Sequence, residues 1–92
     1  MKFMQTWTLI PGSVRTAAEN FLAGAAAPTA GVTLLGRWHN VDCSGGFALY
    51  ETDNAAALHL GASKWADLLE LNIVPVIEDA EAGPNLVARF GK

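Results

Sequence analysis

Between Gly36 and Glu51 the chain gathers an arginine, a tryptophan, a histidine, a phenylalanine, a tyrosine, a glutamate and its single cysteine. His39 could act as a general base or acid. It could equally be a strand-end histidine bonded to backbone or water, because no serine or aspartate partner stands at a fixed spacing. Arg37 could hold an anionic group through parallel N–H donors. A structural ion pair between Arg37 and Glu51 explains both residues as well. Trp7 and Trp65 could line an aromatic pocket, and Trp7, Trp38 and Trp65 could as readily fill a core or an interface. The candidate ligand contacts are therefore Arg37, His39, Glu51, Trp7 and Trp65, with no residue assigned a catalytic role.

Other chemistries fit the sequence less well. His39-x-x-Asp42-Cys43 holds three metal-capable side chains but lacks the paired spacing of a zinc site, and Asp42, Ser44 and Gly45 suit a turn on their own account. Only His39 is near enough to activate Cys43 as a nucleophile. No metal and no cofactor is expected. His59 falls off the apolar stripe of its helix and reads as solvated.

These residues need a frame. Gly36–Glu51 reads as a β-hairpin. Residue 39 opposite 47 would set Tyr50 over Gly36 and Trp38 beside Ala48. That register puts Leu35, Arg37 and His39 on one face with Phe47, Leu49 and Glu51. Around the hairpin, Lys2–Ile10 reads as a strand ending at Pro11-Gly12. Ser13 can cap a helix whose stripe is Val14, Ala17, Ala18, Phe21 and Leu22, with Phe21 expected in the core. Residues 24–31 form a link. Val32–Asn40 and Gly46–Thr52 are the hairpin strands, and Asp53 is the next cap. Leu58, Gly61, Ala62, Trp65, Leu68 and Leu69 form a second helical stripe. Glu70–Ile77 is the fourth strand. Residues 79–92 make an acidic step and a C-terminal tail, with a helical turn or two around Leu86 to Phe90.

The order is β-α-β-β-α-β, the ferredoxin-like arrangement of an α+β domain. It predicts one domain over residues 1–92, with a four-stranded antiparallel sheet and two helices on one face. Right-handed crossovers should run the first helix between strand one and strand three or its neighbours. The first and fourth strands are apolar on both sides: Phe3, Trp7 and Leu9 against Met4 and Ile10, and Leu71, Ile73 and Ile77 against Val74 and Val76. A sheet with one wet face would alternate. The second face should be covered by a second copy, giving a homodimer through the sheet and a dimeric α+β barrel.

Composition agrees. The 92 residues are 51% hydrophobic and 16% charged, more apolar surface than one small domain hides easily. The net charge is −3. The six basic residues are scattered, while seven of nine acids lie between Glu51 and Glu81 with only Lys64 among them. This argues against nucleic acid, which leaves a clustered basic footprint. Gly46-Phe47-Ala48-Leu49-Tyr50 echoes an RNA-recognition strand, but Gly45 stands where a basic residue is needed, and Phe47 and Tyr50 point to opposite faces. No segment reaches the length of a membrane span, the N-terminus is a poor signal peptide, and one cysteine suits a reducing cytoplasm.

Six segments carry a resemblance: Met1-Lys2-Phe3-Met4-Gln5-Thr6-Trp7, Leu35-Gly36-Arg37-Trp38-His39, Gly45-Gly46-Phe47-Ala48-Leu49, Glu51-Thr52-Asp53, Trp65-Ala66-Asp67-Leu68-Leu69 and Pro75-Val76-Ile77-Glu78-Asp79. In these the chain resembles a family of short bacterial proteins of unknown function with a ferredoxin-like, dimeric α+β-barrel fold. Leu60-Gly61-Ala62-Ser63 departs from the bulkier second helix of that pattern, which bears on how tightly the helix closes on the sheet. The resemblance implies a fold and no activity. Distant relatives of the barrel include cofactor-free monooxygenases and haem-degrading enzymes, a likeness of fold alone. Three functions follow as expectations. One is the binding of an apolar or aromatic small molecule in a cleft between sheet and helices. Another is a non-catalytic structural or interaction subunit. The third is a cofactor-free monooxygenase-like enzyme.

Overall fold

The computed structural model describes residues 1–91. Its elements are β1 (Lys2–Leu9), α1 (Val14–Leu22), β2 (Thr33–His39), β3 (Gly45–Glu51), α2 (Ala55–Ser63), β4 (Leu69–Val76) and α3 (Asp79–Phe90). The strands form one sheet in the order β2-β3-β1-β4, and all neighbours are antiparallel. This is the βαββαβ ferredoxin-like fold with a third helix appended. The first helix links β1 to β2 across β3, so it bridges strands that are not neighbours.

The pairing sorts alternate residues to two faces. Phe3, Gln5, Trp7 and Leu9 of β1 pair with Tyr50, Ala48 and Gly46 of β3 and with Pro75, Ile73, Leu71 and Leu69 of β4. This set faces α1 and α2. The other face carries Met4, Thr6, Phe47, Leu49, Val74 and Val76, and neither α1 nor α2 covers it.

The hairpin register differs from expectation by one residue. His39 pairs with Gly46, Trp38 with Phe47 and Arg37 with Ala48, and a bulge at Leu35 resets the pairing so that Leu34 meets Tyr50. Arg37 and His39 therefore share the helix face with Ala48 and Tyr50. Phe47, Leu49 and Glu51 point the other way. The ring above Gly36 belongs to Trp38, not Tyr50: a Cβ on Gly36 would sit 2.4 Å from the Trp38 ring. Edge strand β2 is bulged, and edge strand β4 contains Pro75, which cannot donate to a ladder.

The core is thin. Val32, Ala48, Tyr50 and Leu58 form its centre, with Phe3, Trp7, Leu34, Ala57 and Ile73 packed around them. Phe21 is only half-buried, so it is not the core residue its stripe suggested. Two buried polar groups fasten the layers. The Ser13 hydroxyl donates to the carbonyls of Ile10 and Leu68, at 2.6 and 2.8 Å. It ties the entry of α1 to the turn before β4 and makes no side-chain cap of α1. The Thr52 hydroxyl donates to the Gly31 carbonyl at 2.8 Å. The cap of α2 is Asn54, whose side chain accepts from the Ala57 N–H at 3.2 Å. Asp53, one residue earlier, lies 3.5 Å from the Met1 amine.

Two further expectations change. The second stripe is not one helix: α2 ends at Ser63, Trp65 and Leu68 lie in a turn, and Leu69 opens β4. The acidic step is the first turn of α3, where Asp79 and Glu81 complement the helix dipole and Arg89 balances the last turn. The helix runs 12 residues through Pro84; Lys92, the end of the expected tail, lies outside the described residues. α3 buries no residue, and Leu86, Val87 and Phe90 remain exposed. The chain measures 54 × 29 × 18 Å, with a radius of gyration of 15.6 Å. A compact chain of this length would have about 12 Å.

Candidate functional site

The stripes of both helices face the sheet without filling the space between. A cleft of about 340 Å³ remains between the layers. Every residue of the α1 stripe lines it: Val14, Ala17, Ala18, Phe21 and Leu22. Gly61 and Ala62 of α2 and Trp65 of the following turn form another wall. The small residues at 61 and 62 leave space unfilled at this wall, so the departure at Leu60-Gly61-Ala62-Ser63 has a structural outcome. Trp7, Leu9, Tyr50, Leu69 and Leu71 form the floor. Val14 and Leu22 are 48% and 85% exposed, so the cleft opens to solvent along α1.

The floor depends on one glycine. A Cβ on Gly46 would fall 2.7 Å from the Trp7 ring and 2.1 Å from the Trp38 carbonyl oxygen. Only a bare backbone lets the Trp7 indole lie flat there. Trp7 in turn meets His39 edge to face, with centroids 5.5 Å apart and planes at 80°. Phe21 approaches His39 from α1 in the same way, at 5.1 Å and 80°. His39 thus stands at the end of β2 between an aromatic from the sheet and one from the helix, a favourable geometry for ring quadrupoles.

Arg37 lies two residues back on the same face. Its Nη2 donates to the Ala26 carbonyl at 2.7 Å, and its guanidinium carbon sits 5.6 Å from the centre of the Phe21 ring. That hydrogen bond pins the link before β2 against the strand. The Thr29 hydroxyl pins it to α2 through the Ala57 carbonyl at 2.7 Å. Residues 25–29 line the cleft, so this fastened link is its third wall.

Of the five sequence candidates, Arg37, His39, Trp7 and Trp65 converge on the cleft and Glu51 does not. The expected Arg37–Glu51 pair is absent because the true register puts the two on opposite faces. Glu51 instead lies 3.5 Å from the Met1 amine, in a separate shallow recess with Lys2, Val76, Ile77 and Glu81. Phe21, Tyr50 and Lys64 also line the cleft. Phe21 was legible on the α1 stripe; Tyr50 needed the correct register; Lys64 carried no signal at all.

The hairpin turn is a structural unit. The Asp42 carboxylate accepts from the Ser44 N–H at 3.0 Å, and Asn40 donates to the Ser44 hydroxyl at 3.1 Å. Hydrogen bonds from Ser44 hold the Asp42 carboxyl below the usual carboxylate range. Cys43 is exposed, with a positive φ of 64°. Among the described residues no three His, Cys, Asp or Glu side chains gather as metal ligands, and no helix is long and apolar enough to cross a membrane.

Comparison with known proteins agrees with this frame. The family described as Domain of unknown function (DUF3303) matches residues 1–90. No curated protein matches significantly in sequence. Among solved structures, PA3566 from Pseudomonas aeruginosa is similar with a TM-score of 0.53 at 21% identity, covering 84% of this chain and 91% of that one. Rv0793 from Mycobacterium tuberculosis is similar at 0.52 and 10% identity, covering 86% and 97%. A protein from Deinococcus radiodurans, provisionally named an antibiotic biosynthesis monooxygenase, gives 0.47 at 15% identity over 85% and 94%. The first two likenesses are of fold alone.

Proposed function

We propose, from the premise that this chain belongs to DUF3303, a family defined without an activity, that it binds a small apolar or aromatic molecule in the cleft between sheet and helices. The observation that carries this reading is the cleft itself. About 340 Å³ of space lies under two helices whose apolar stripes face inward without filling it, and ligand sites of soluble proteins begin at about 300 Å³. Trp7, Phe21, Tyr50 and Trp65 supply rings to a ligand, and Arg37 and His39 supply polar contacts at one end. A purely structural subunit would have closed this space. An enzymatic variant of the reading rests on His39 as a general base or acid. Its test is turnover of a bound ligand, lost in His39→Ala.

The reading includes a homodimer through the open face of the sheet. Support comes from Trp38 and Phe47, paired across β2 and β3 at 6.3 Å between ring centres and left 53% and 44% exposed. The exposed, unpaired Cys43 fits a reducing compartment such as the cytoplasm. A thermal-shift screen with aromatic compounds, neutral and anionic, tests the ligand reading. A ligand at 100 times its Kd stabilises the folded state by about 2.7 kcal/mol, and a flat response across the whole panel would sink it.

A further inference from the structure

We infer that the ligand of this cleft is an organic anion, an aromatic ring system bearing one carboxylate or comparable acidic group. This rests on the ligand-binding reading above and adds the charge. The cleft is lined by three side chains of basic type, Arg37, His39 and Lys64. None of the nine acidic residues lines it, in a chain whose net charge is −3. A surplus of acids over bases makes that segregation informative.

The partnering of the cations sharpens the point. Lys2 is bridged to Glu78, and Arg15 approaches Glu19 at 3.9 Å. Among the described residues neither Arg37 nor Lys64 has an acidic partner within 4 Å. Arg37 spends one donor on the neutral Ala26 carbonyl and sets its face against Phe21. A guanidinium has five N–H donors in a fixed fork, so it keeps donors for a second acceptor. Half-buried beside an aromatic ring, such a cation is poorly solvated, and a carboxylate is its natural complement.

The remaining walls dictate the body of the ligand. They are rings and aliphatic groups: Trp7, Phe21, Trp65, Leu9 and Leu71 among them. A volume of about 340 Å³ is roughly twice that of an engineered 150 Å³ cavity that takes up benzene. Two fused rings with a single acidic substituent match both size and charge.

The test uses the intact protein and three probes, 2-naphthoate, its neutral isostere 2-naphthamide, and octanoate. Binding is followed by tryptophan fluorescence and calorimetry. The naphthoate should bind about tenfold or more tighter than the amide, the scale of one charge-assisted hydrogen bond. The preference should shrink in Arg37→Met and in Lys64→Met, and when salt rises from about 0.05 to about 0.5 M. Lys64 is exposed and takes no part in the core, so Lys64→Met keeps the test sound if Arg37→Met fails to fold. Equal binding of naphthoate and naphthamide, or a preference that neither added salt nor the two substitutions reduce, overturns the anion assignment while leaving the cleft reading intact. Octanoate binding as tightly as naphthoate overturns its aromatic part. Failure of both naphthyl probes overturns the cleft reading itself.

Discussion

The two faces of the sheet are made from alternate residues of the same four strands, yet they meet their surroundings differently. The helix face is roofed and underfilled: Trp7, Tyr50 and Leu71 look across a gap to Phe21 and Ala62, with Arg37 and His39 at its end. The open face has no roof and mixes apolar with polar groups: Trp38, Phe47 and Val74 are all more than 40% exposed, beside Thr6, Thr8, Glu70 and Asn72. One face keeps space within the chain and the other presents surface beyond it. Apolar area serves two purposes here, and what distinguishes them is the company it keeps. Basic side chains gather at the cleft, whereas the open face pairs aromatic with aromatic.

That contrast can be broken at several points. The strongest perturbation should be Leu58→Ala, since Leu58 is the buried contact of α2 with the sheet; a loss of ~2–4 kcal/mol is expected in denaturant unfolding. Gly46→Ala should cost ~2–3 kcal/mol by forcing the Trp7 ring and the Trp38 carbonyl aside, and should abolish ligand-dependent thermal shifts along with it. On the other face, Trp38→Ala should leave the fold in place and weaken self-association by about 2 kcal/mol, roughly thirtyfold in Kd by light scattering. A monomer in the unmodified protein at micromolar concentration would remove the distinction between the faces altogether.

Smaller effects sharpen the same line. Phe21→Ala should cost only ~1 kcal/mol, because Phe21 walls a cleft and leans on His39 and Arg37 instead of filling a core. A cost near that of Leu58→Ala would mean the cleft is closed in solution. Least of all should be Glu78→Gln. The hydrogen bond and charge of Lys2 hold the Glu78 carboxyl below its usual range, and Glu78 lifts the Lys2 ammonium above its own. The carboxylate's contribution is therefore present above the usual glutamate range and lost as pH falls through its lowered value. The ammonium's is lost only as pH rises through its raised value. Both groups are exposed, so salt screens the pair. The melting temperature at neutral pH should be nearly that of the unmodified protein, and the difference should vanish in acid.

Which parts were legible in the sequence follows from the range of each signal. Periodicity is local, and it named the α1 stripe from Val14 to Leu22 and the elements of the ferredoxin-like order. It could say which way α1 faces, but not that a gap would remain under it, since that depends on side chains from three other elements. Parity along β2 misled because the bulge at Leu35 is one residue out of step; Leu34, not Leu35, shares the face of Arg37 and His39. The Arg37–Glu51 pair fell with that register. Only a turn or two of helix was expected around Leu86 to Phe90, yet α3 begins at Asp79 and continues through Pro84, a loss of about one hydrogen bond that twelve residues tolerate. Lys64 entered the cleft because a turn ends α2 there, a tertiary fact with no trace in the pattern.

The edges of the sheet carry a consequence for behaviour at high concentration. Open-ended growth, the route to fibres, needs a straight strand with a regular row of free donors and acceptors. At one end β2 is kinked by its extra residue, and at the other β4 carries Pro75. Neither margin offers a clean template. In the proposed homodimer the two copies would meet through their open faces, and such a face-to-face pair is self-limiting. Its exposed apolar surface would then favour a finite assembly over precipitation.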